Sequence, residues 1–495
     1  MFFIQYIFNN LLLVLLVLPL IGALTLIFIP NWNFHFLRLT ALFFSFVTFV
    51  VSLFLWVGFN QATSKFQFVT ELFWVPELNI NLTLGVDGIS LFLLLLTTLL
   101  VPLCILASWT GIKDNAKEYL VAFLVMESFL IGVFSVLDLM LFYVLFESVL
   151  IPMFLIIGIY GSRERKIRAS YFFFLYTLIG SVLMLLGIFY IFYVVGTTDY
   201  ETLIAFSFTE QEQKFLWLMF FASFATKVPM LPMHIWLPEA HVEAPTAGSV
   251  ILAGVLLKLG TYGFIRFSFP LFPFASLYFT PLVYSMASMA VVYTSLTAIR
   301  QTDLKRIIAY TSVAHMNLVM IGLFSFNVIG LEGAMLQSLS HGFVASALFL
   351  VIGVVYDRHH TRMVKYYGGL VHMMPLFTII FLIFTMANIA LPGTSSFVGE
   401  LLILVGAYEC NTTITFIGAT GMVLGGGYSL WLFNRIVYGN LKTQYLKQFC
   451  DLEKREFFVF LPLIFGTLFM GVYPEVFLNV MHISINNLLD QIHFV

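Results

Sequence analysis

Fourteen runs of mostly apolar residues, separated by short polar breaks, divide this chain. Each is close to the ~20 residues that cross a bilayer as a helix. Their approximate limits are 4–29, 35–58, 88–109, 118–136, 138–160, 168–195, 215–235, 245–267, 277–299, 304–325, 329–356, 373–407, 413–438 and 457–479. Inside lipid a backbone must satisfy its own polar groups, so runs of this length become helices. The rest of the chain leaves no room for a soluble domain of useful size. Hydrophobic residues make up 61% and charged residues 10% of the 495, against ~45–50% and ~25% in soluble domains. The expected fold class is therefore an all-α polytopic membrane protein of about 14 transmembrane helices. Between spans 2 and 3, FQFVTELFWVPELNINLTLG alternates in polarity and predicts a surface hairpin near 66–86. The tail VMHISINNLLDQIHFV predicts an amphipathic segment along the membrane surface.

Charge supports the count. With 14 spans, 18 loop lysines and arginines fall on one side, from Arg38 through Arg455, and only Lys65, Lys214 and Arg266 on the other. That is the positive-inside pattern, and it places both termini on the positive-poor side. The net charge of −2 gives no footing for nucleic acid. Cys104, Cys410 and Cys450 lie far apart, which excludes a cysteine-ligated iron–sulfur cluster carried by this chain alone. The chain opens directly into an apolar run with no basic n-region or Arg/Ser-rich transit peptide. With 57 phenylalanines, that suggests synthesis inside the organelle that uses the protein.

Two spans are interrupted by proline. Span 7 breaks at Lys227-Val228-Pro229 and span 12 at Leu391-Pro392-Gly393, with Glu400 beyond. Each proline removes a backbone donor, and a broken helix at membrane depth belongs inside protein or beside a watery cavity. Interrupted helices in corresponding positions point to repeats with an ion site at the midplane. The expected repeats are 118–267 and 277–438, five helices each, flanked by 1–117 and by 439–495, which holds helix 14 and the tail.

Ionisable residues inside the spans are the candidates for chemistry. A lysine at bilayer depth costs at least ~2.5–3.5 kcal/mol, and this chain carries Lys227 and Lys258 only 31 residues apart. Burial disfavours an ammonium and a nearby carboxylate favours it, so the proton affinity of such a lysine is adjustable. Lys227 has a plainer role open to it, as a pin for the broken helix. Lys258 sits in what reads as an intact helix with no acid of its own, so it has to face other spans. Glu147, in LMLFYVLFESVLIPMF, lies about ten residues from either end of span 5 and cannot easily reach water. His315 and His341 have hydroxyl and amide neighbours and fall in order between Lys258 and Glu400. Each alone reads as a packing residue; together they suggest proton relay. Glu400 has an alternative role as a cap for the second half-helix. His234, Glu239, His241 and Glu243 cluster after span 7; their spacing is no standard zinc pattern, and a solvated or interhelical polar turn is expected. Glu127 and Asp138 are further acids near the membrane without an assigned part. Gly425-Gly426-Gly427 is a packing feature, and no metal or cofactor site is expected on the chain.

The segment KVPMLPMHIWLPEAHVEAPTAGSVILAGVLLKLGTYG resembles the signature of the antiporter-like membrane subunits of respiratory complex I. Within that group, QTDLKRIIAYTSVAHMN and the general layout resemble the chain 4 family of NADH:ubiquinone oxidoreductase. The similarity covers most of residues 85 to 440. It implies two inverted five-helix units with discontinuous helices 7 and 12, and a Glu147–Lys227 pair. It also implies a proton-translocating membrane-arm subunit whose partners are the other membrane-arm subunits, chiefly the neighbouring antiporter-like ones, and membrane lipids. FMN, iron–sulfur clusters and ubiquinone would be handled by other subunits, with proton passage here through Glu147, Lys227, Lys258, His315, His341 and Glu400. The expected location is the mitochondrial inner membrane with both termini toward the intermembrane space, or a bacterial plasma membrane. The competing expectations are a subunit of a multi-subunit cation/proton antiporter with no NADH link, which shares the lysine motifs, and a passive scaffold, which the buried charges argue against.

Overall fold

The computed structural model of the protein describes residues 10–75, 77, 79–112, 114–445 and 450–493. Lys113 and Lys447 of the charge count, and the start of span 1, lie outside the described residues. Helices α1 (Leu11–Phe28) and α2 (Phe34–Gly58) lead into an antiparallel hairpin, β1 (Gln67–Val75) paired with β2 (Ile80–Val86). The expected surface hairpin is thus a true β element. Next come α3 (Gly88–Ala107), α4 (Ala116–Ser135), α5 (Leu139–Ser148), α6 (Leu150–Tyr160), α7 (Lys166–Val195) and the short α8 (Tyr200–Ala205). The central stretch runs α9 (Glu210–Lys227), α10 (Trp236–Glu243), α11 (Thr246–Ile251), α12 (Leu257–Gly263), α13 (Phe269–Leu271) and α14 (Pro273–Tyr278). The chain continues as α15 (Thr280–Ile299), α16 (Leu304–Leu323), α17 (Val328–His359), α18 (Pro375–Asn388), α19 (Ser395–Cys410), α20 (Thr412–Val437), α21 (Lys454–Val472) and α22 (Glu475–His493).

Among the described residues, 12 helical stretches are long and apolar enough to cross a membrane. The two expected spans missing from that set are 7 and 12, which the prolines divide into α9 with α10 and α18 with α19. Both breaks close in the same way. Met230 N–H reaches back five residues to Ala225 O at 3.0 Å, and Leu391 N–H five residues to Met386 O at 3.1 Å. At the first break a side chain also serves the backbone: the Trp236 indole donates to Thr226 O at 2.9 Å. Satisfied in this way, an irregular backbone is tolerable at membrane depth.

Polar caps fix several helix starts. Asp87 accepts from Ser90 N–H at 2.9 Å while Ser90 Oγ accepts from Asp87 N–H, a reciprocal box at the start of α3. The innermost helix is the one containing α11 and α12: all of its apolar window is buried, as is nearly all of α17. Helices α17 and α19 approach at glycine: a side chain on Gly406 would meet the Gly330 backbone at 2.6 Å. The tail helix α22 buries Val480, Met481, Ile485 and Ile492. Ser484 Oγ accepts from Gly88 N–H at 3.1 Å, so its inner face is spent on this chain rather than left free.

Candidate functional site

The prolines after Lys227 place it in the last turn of α9, where the helix dipole favours a cation. Its side chain is buried, and Nζ stands 4.5 Å from the centroid of the Phe146 ring. That is cation–π distance. Phe146 is the neighbour of Glu147 on α5. Pro152, four residues after Ser148, divides this span at Val149, so Glu147 sits beside a kink. Neither Lys227 Nζ nor Glu147 Oε1 has a hydrogen-bond partner among the described residues, and the Phe146 ring next to Glu147 is what the Lys227 ammonium touches.

Lys258 lies on a helix that is not intact. Two wide turns with i→i+5 hydrogen bonding, Leu252–Leu256 and Phe264–Ser268, flank α12. Such turns carry one extra residue and are common at functional sites. Lys258 Nζ donates to Ala253 O at 2.6 Å, back across the first wide turn, and lies 2.8 Å from His341 Nδ1 on α17. The His341 and His315 ring centroids are 6.0 Å apart. His315 Nδ1, on α16, is 3.0 Å from Glu400 Oε1 on α19. Gln337 Nε2 donates to the same carboxylate oxygen at 2.9 Å. Four sequence-distant residues on four elements therefore form one line, Lys258–His341–His315–Glu400. Glu400 stands six positions into its half-helix after Thr394, so it is not the cap of α19.

The span 7 follow-on differs from expectation. Residues Trp236–Glu243 are helical, and His241 and Glu243 are buried. His241 stacks on Phe349 with centroids 4.6 Å apart. The polar turn is therefore a packed half-helix, interhelical rather than solvated. Only Glu239 reaches toward the surface, in a 2.5 Å ion pair with Arg306. Among the described residues, no three His, Cys, Asp or Glu side chains converge as a metal site. Glu127 accepts from the Thr48 hydroxyl at 2.8 Å, and Asp138 caps α5 while accepting from Thr198 at 2.6 Å.

Sequence reasoning passed over two buried charge groups. Arg362, counted as a loop residue, is fully buried: it donates to Val242 O and lies 3.9 Å from both Glu243 and Asp303. Lys305 joins that group, donating to Ala244 O at 2.8 Å. At the other end of the helix bearing Lys258, Arg266 pairs with Asp87 at 2.6 Å and lies over the rings of Phe66, Tyr200 and Tyr262. Asp87 drew no reading in the sequence, and Arg266 entered it only as a loop charge.

Comparison with known proteins agrees with this architecture. Residues 136–425 match the family described as NADH:quinone oxidoreductase/Mrp antiporter, transmembrane. NADH-ubiquinone oxidoreductase chain 4 of Marchantia polymorpha is 59% identical over 477 residues, 96% of each chain. NADH-quinone oxidoreductase subunit M of Rhodobacter capsulatus is 47% identical over 505 residues, 98% of this chain and 97% of the other. A chain of respiratory complex I from Thermus thermophilus with bound NADH superposes with a TM-score of 0.88 at 28% identity, covering 97% of this chain and 99% of that one. A chain of an archaeal membrane-bound sulfane sulfur reductase shares the fold, with a TM-score of 0.84 at 20% identity over 95% of this chain and 77% of the other. A buried lysine–histidine–glutamate line behind two broken helices, in a chain with such relatives along nearly its whole length, leads to one conclusion: the chain belongs to the NADH:quinone oxidoreductase/Mrp antiporter transmembrane family, in its chain 4 branch.

Proposed function

We propose that this chain is the proton-translocating chain 4 subunit of a respiratory complex I membrane arm. It acts within an NADH:ubiquinone reductase whose FMN, iron–sulfur clusters and ubiquinone reside on other subunits. The observation that carries the reading is the line from Lys258 through His341 and His315 to Glu400. Amine, imidazole and carboxylate are groups that can each hold and release a proton, and two of the three steps are already at hydrogen-bond distance. Glu147 and Lys227 stand before this line. A change of charge at Glu147 alters the field at Lys227 across the Phe146 ring, and Coulomb coupling in a low-dielectric interior carries it onward.

The matching five-residue closures at the two breaks support a pair of inverted units over 118–267 and 277–438. The 18-to-3 split of lysines and arginines read from the sequence supports both termini on the intermembrane-space side of a mitochondrial inner membrane. The same line would serve a cation/proton antiporter complex without an NADH link. Isolation with native partners separates the two, since copurifying flavin and iron–sulfur clusters belong only to the former. The reading is tested with Glu147→Gln in reconstituted vesicles oxidising NADH. Assembly on a native gel should persist while proton uptake falls. Uptake at the unmodified rate would remove Glu147 from the path.

A further inference from the structure

We propose that the pocket at the C-terminal end of α20 holds the headgroup of an anionic phospholipid. The pocket has a volume of 470 Å³ and is lined by Trp431, Asn434, Arg435, Tyr438 and Lys442 together with the backbone of the crossing loop at Gly368. Among the described residues its lining has two cations, Arg435 and Lys442, and no acid. The negative end of the helix dipole there amounts to about half a charge, so two full positive charges leave a net attraction for an anion. Trp431 and Tyr438 are half exposed, at 46% and 54%, beside those cations. Aromatic rings with one apolar body and one polar edge settle at the headgroup level of a bilayer.

The pocket is also built, not a chance meeting of side chains. Gly369 N–H donates to Tyr438 O at 3.1 Å, tying the loop across the helix end, and Lys442 Nζ is held by Lys365 O at 2.6 Å. Immediately along α20 runs an outward apolar strip. Phe416 and Val423 are 72% and 77% exposed, Leu430 is 40% exposed, and open space surrounds Gly427 where a side chain would stand. A polar basic pocket at one helix end with an apolar track along the same helix fits a headgroup with acyl chains. A soluble phosphate would have no use for the track. The pocket lies on the lysine- and arginine-rich side of the chain, and basic sites on that face attract anionic lipids at ~1 kcal/mol per charge.

The test uses the assembled complex in phosphatidylcholine nanodiscs carrying a trace of photoactivatable phosphatidylglycerol or, separately, photoactivatable phosphatidylcholine. Labelled peptides are mapped. The anionic probe should label residues 423–442 in preference to the zwitterionic one. Labelling should fall about fivefold for each of Arg435→Gln and Lys442→Gln, with Arg435→Lys retaining most of it, and glycerol phosphate in solution should not compete. Native-gel mobility reports assembly of each variant. Equal labelling by the two probes overturns the proposal, and so does labelling indifferent to charge removal in assembled variants. Absence of labelling in the unmodified complex also overturns it, because a neighbouring protein then covers the pocket. Competition by glycerol phosphate would replace the lipid with a soluble phosphate ligand.

Discussion

Replacing Lys258 by methionine asks whether the amine itself carries the proton. The substitution removes the contacts to Ala253 O at 2.6 Å and His341 Nδ1 at 2.8 Å, and little else, since methionine fills much the same length. Hydrogen bonds to a charged group contribute ~1.5–3 kcal/mol each. Against that loss, the variant never has to bury a charge, which costs several kcal/mol whenever the amine holds its proton. The two effects offset, so assembly and thermal midpoint should change little. Transport should not survive. A positioned acid–base group is typically worth ~10²–10⁴ in rate, and His341 would lose its partner on the α12 side. The assay is NADH-driven proton uptake by vesicles, with a native gel for assembly. Lys258→Arg sharpens it, because arginine keeps the charge but does not release its proton in proteins. Assembled Lys258→Met that pumps at the unmodified rate refutes the relay at this position. Normal pumping by Lys258→Arg would show that the site acts by charge alone.

Phe146→Leu removes the ring beneath the Lys227 ammonium, a contact worth ~0.5–2 kcal/mol. Proton uptake in vesicles should fall, but by less than in Glu147→Gln. Arg266→Gln leaves Asp87 buried without its cation, a loss of ~3–5 kcal/mol; native gels and thermal melting should show poor assembly before any effect on pumping is visible. Glu239→Gln breaks an ion pair that is about one-third exposed on each side, worth ~0–1 kcal/mol. Its melting temperature and its proton uptake should both stay near those of the unmodified complex.

The parts of the fold legible in the sequence are those set by covalent chemistry and length. Proline at 229 and 392 removes backbone donors wherever the chain folds, so both helix breaks could be placed, and lysines among apolar runs had to be buried. The wide turns around Lys258 were not legible. No proline stands next to the first, Leu252–Leu256, and the helix there carries glycines whose close neighbours come from distant helices: Gly254 meets Leu100, and Gly260 meets Val228 and the Phe224 carbonyl. The meeting of Lys258 with His341 spans 83 residues, and only packing of α12 on α17 brings it about. The acidic and histidine-rich stretch after span 7 left two readings open, solvated or interhelical, for a related reason. His241 and Glu243 look solvent-seeking in sequence, yet they are covered once α10 packs between its neighbours.

The bond from Lys258 to Ala253 O ties a charge to a helix register. The wide turn at Leu252–Leu256 holds one residue more than an α turn, and straightening it would rotate one part of the helix against the other by about 100°. An ammonium rewards the wide turn by binding its carbonyl more strongly than a neutral amine does. Linkage makes the relation reciprocal: whatever straightens the turn loosens the hold on the charge, and neutralising the lysine lowers the cost of straightening it. The register of this helix and the hold on the Lys258 amine are therefore one coupled quantity, set at the same carbonyl.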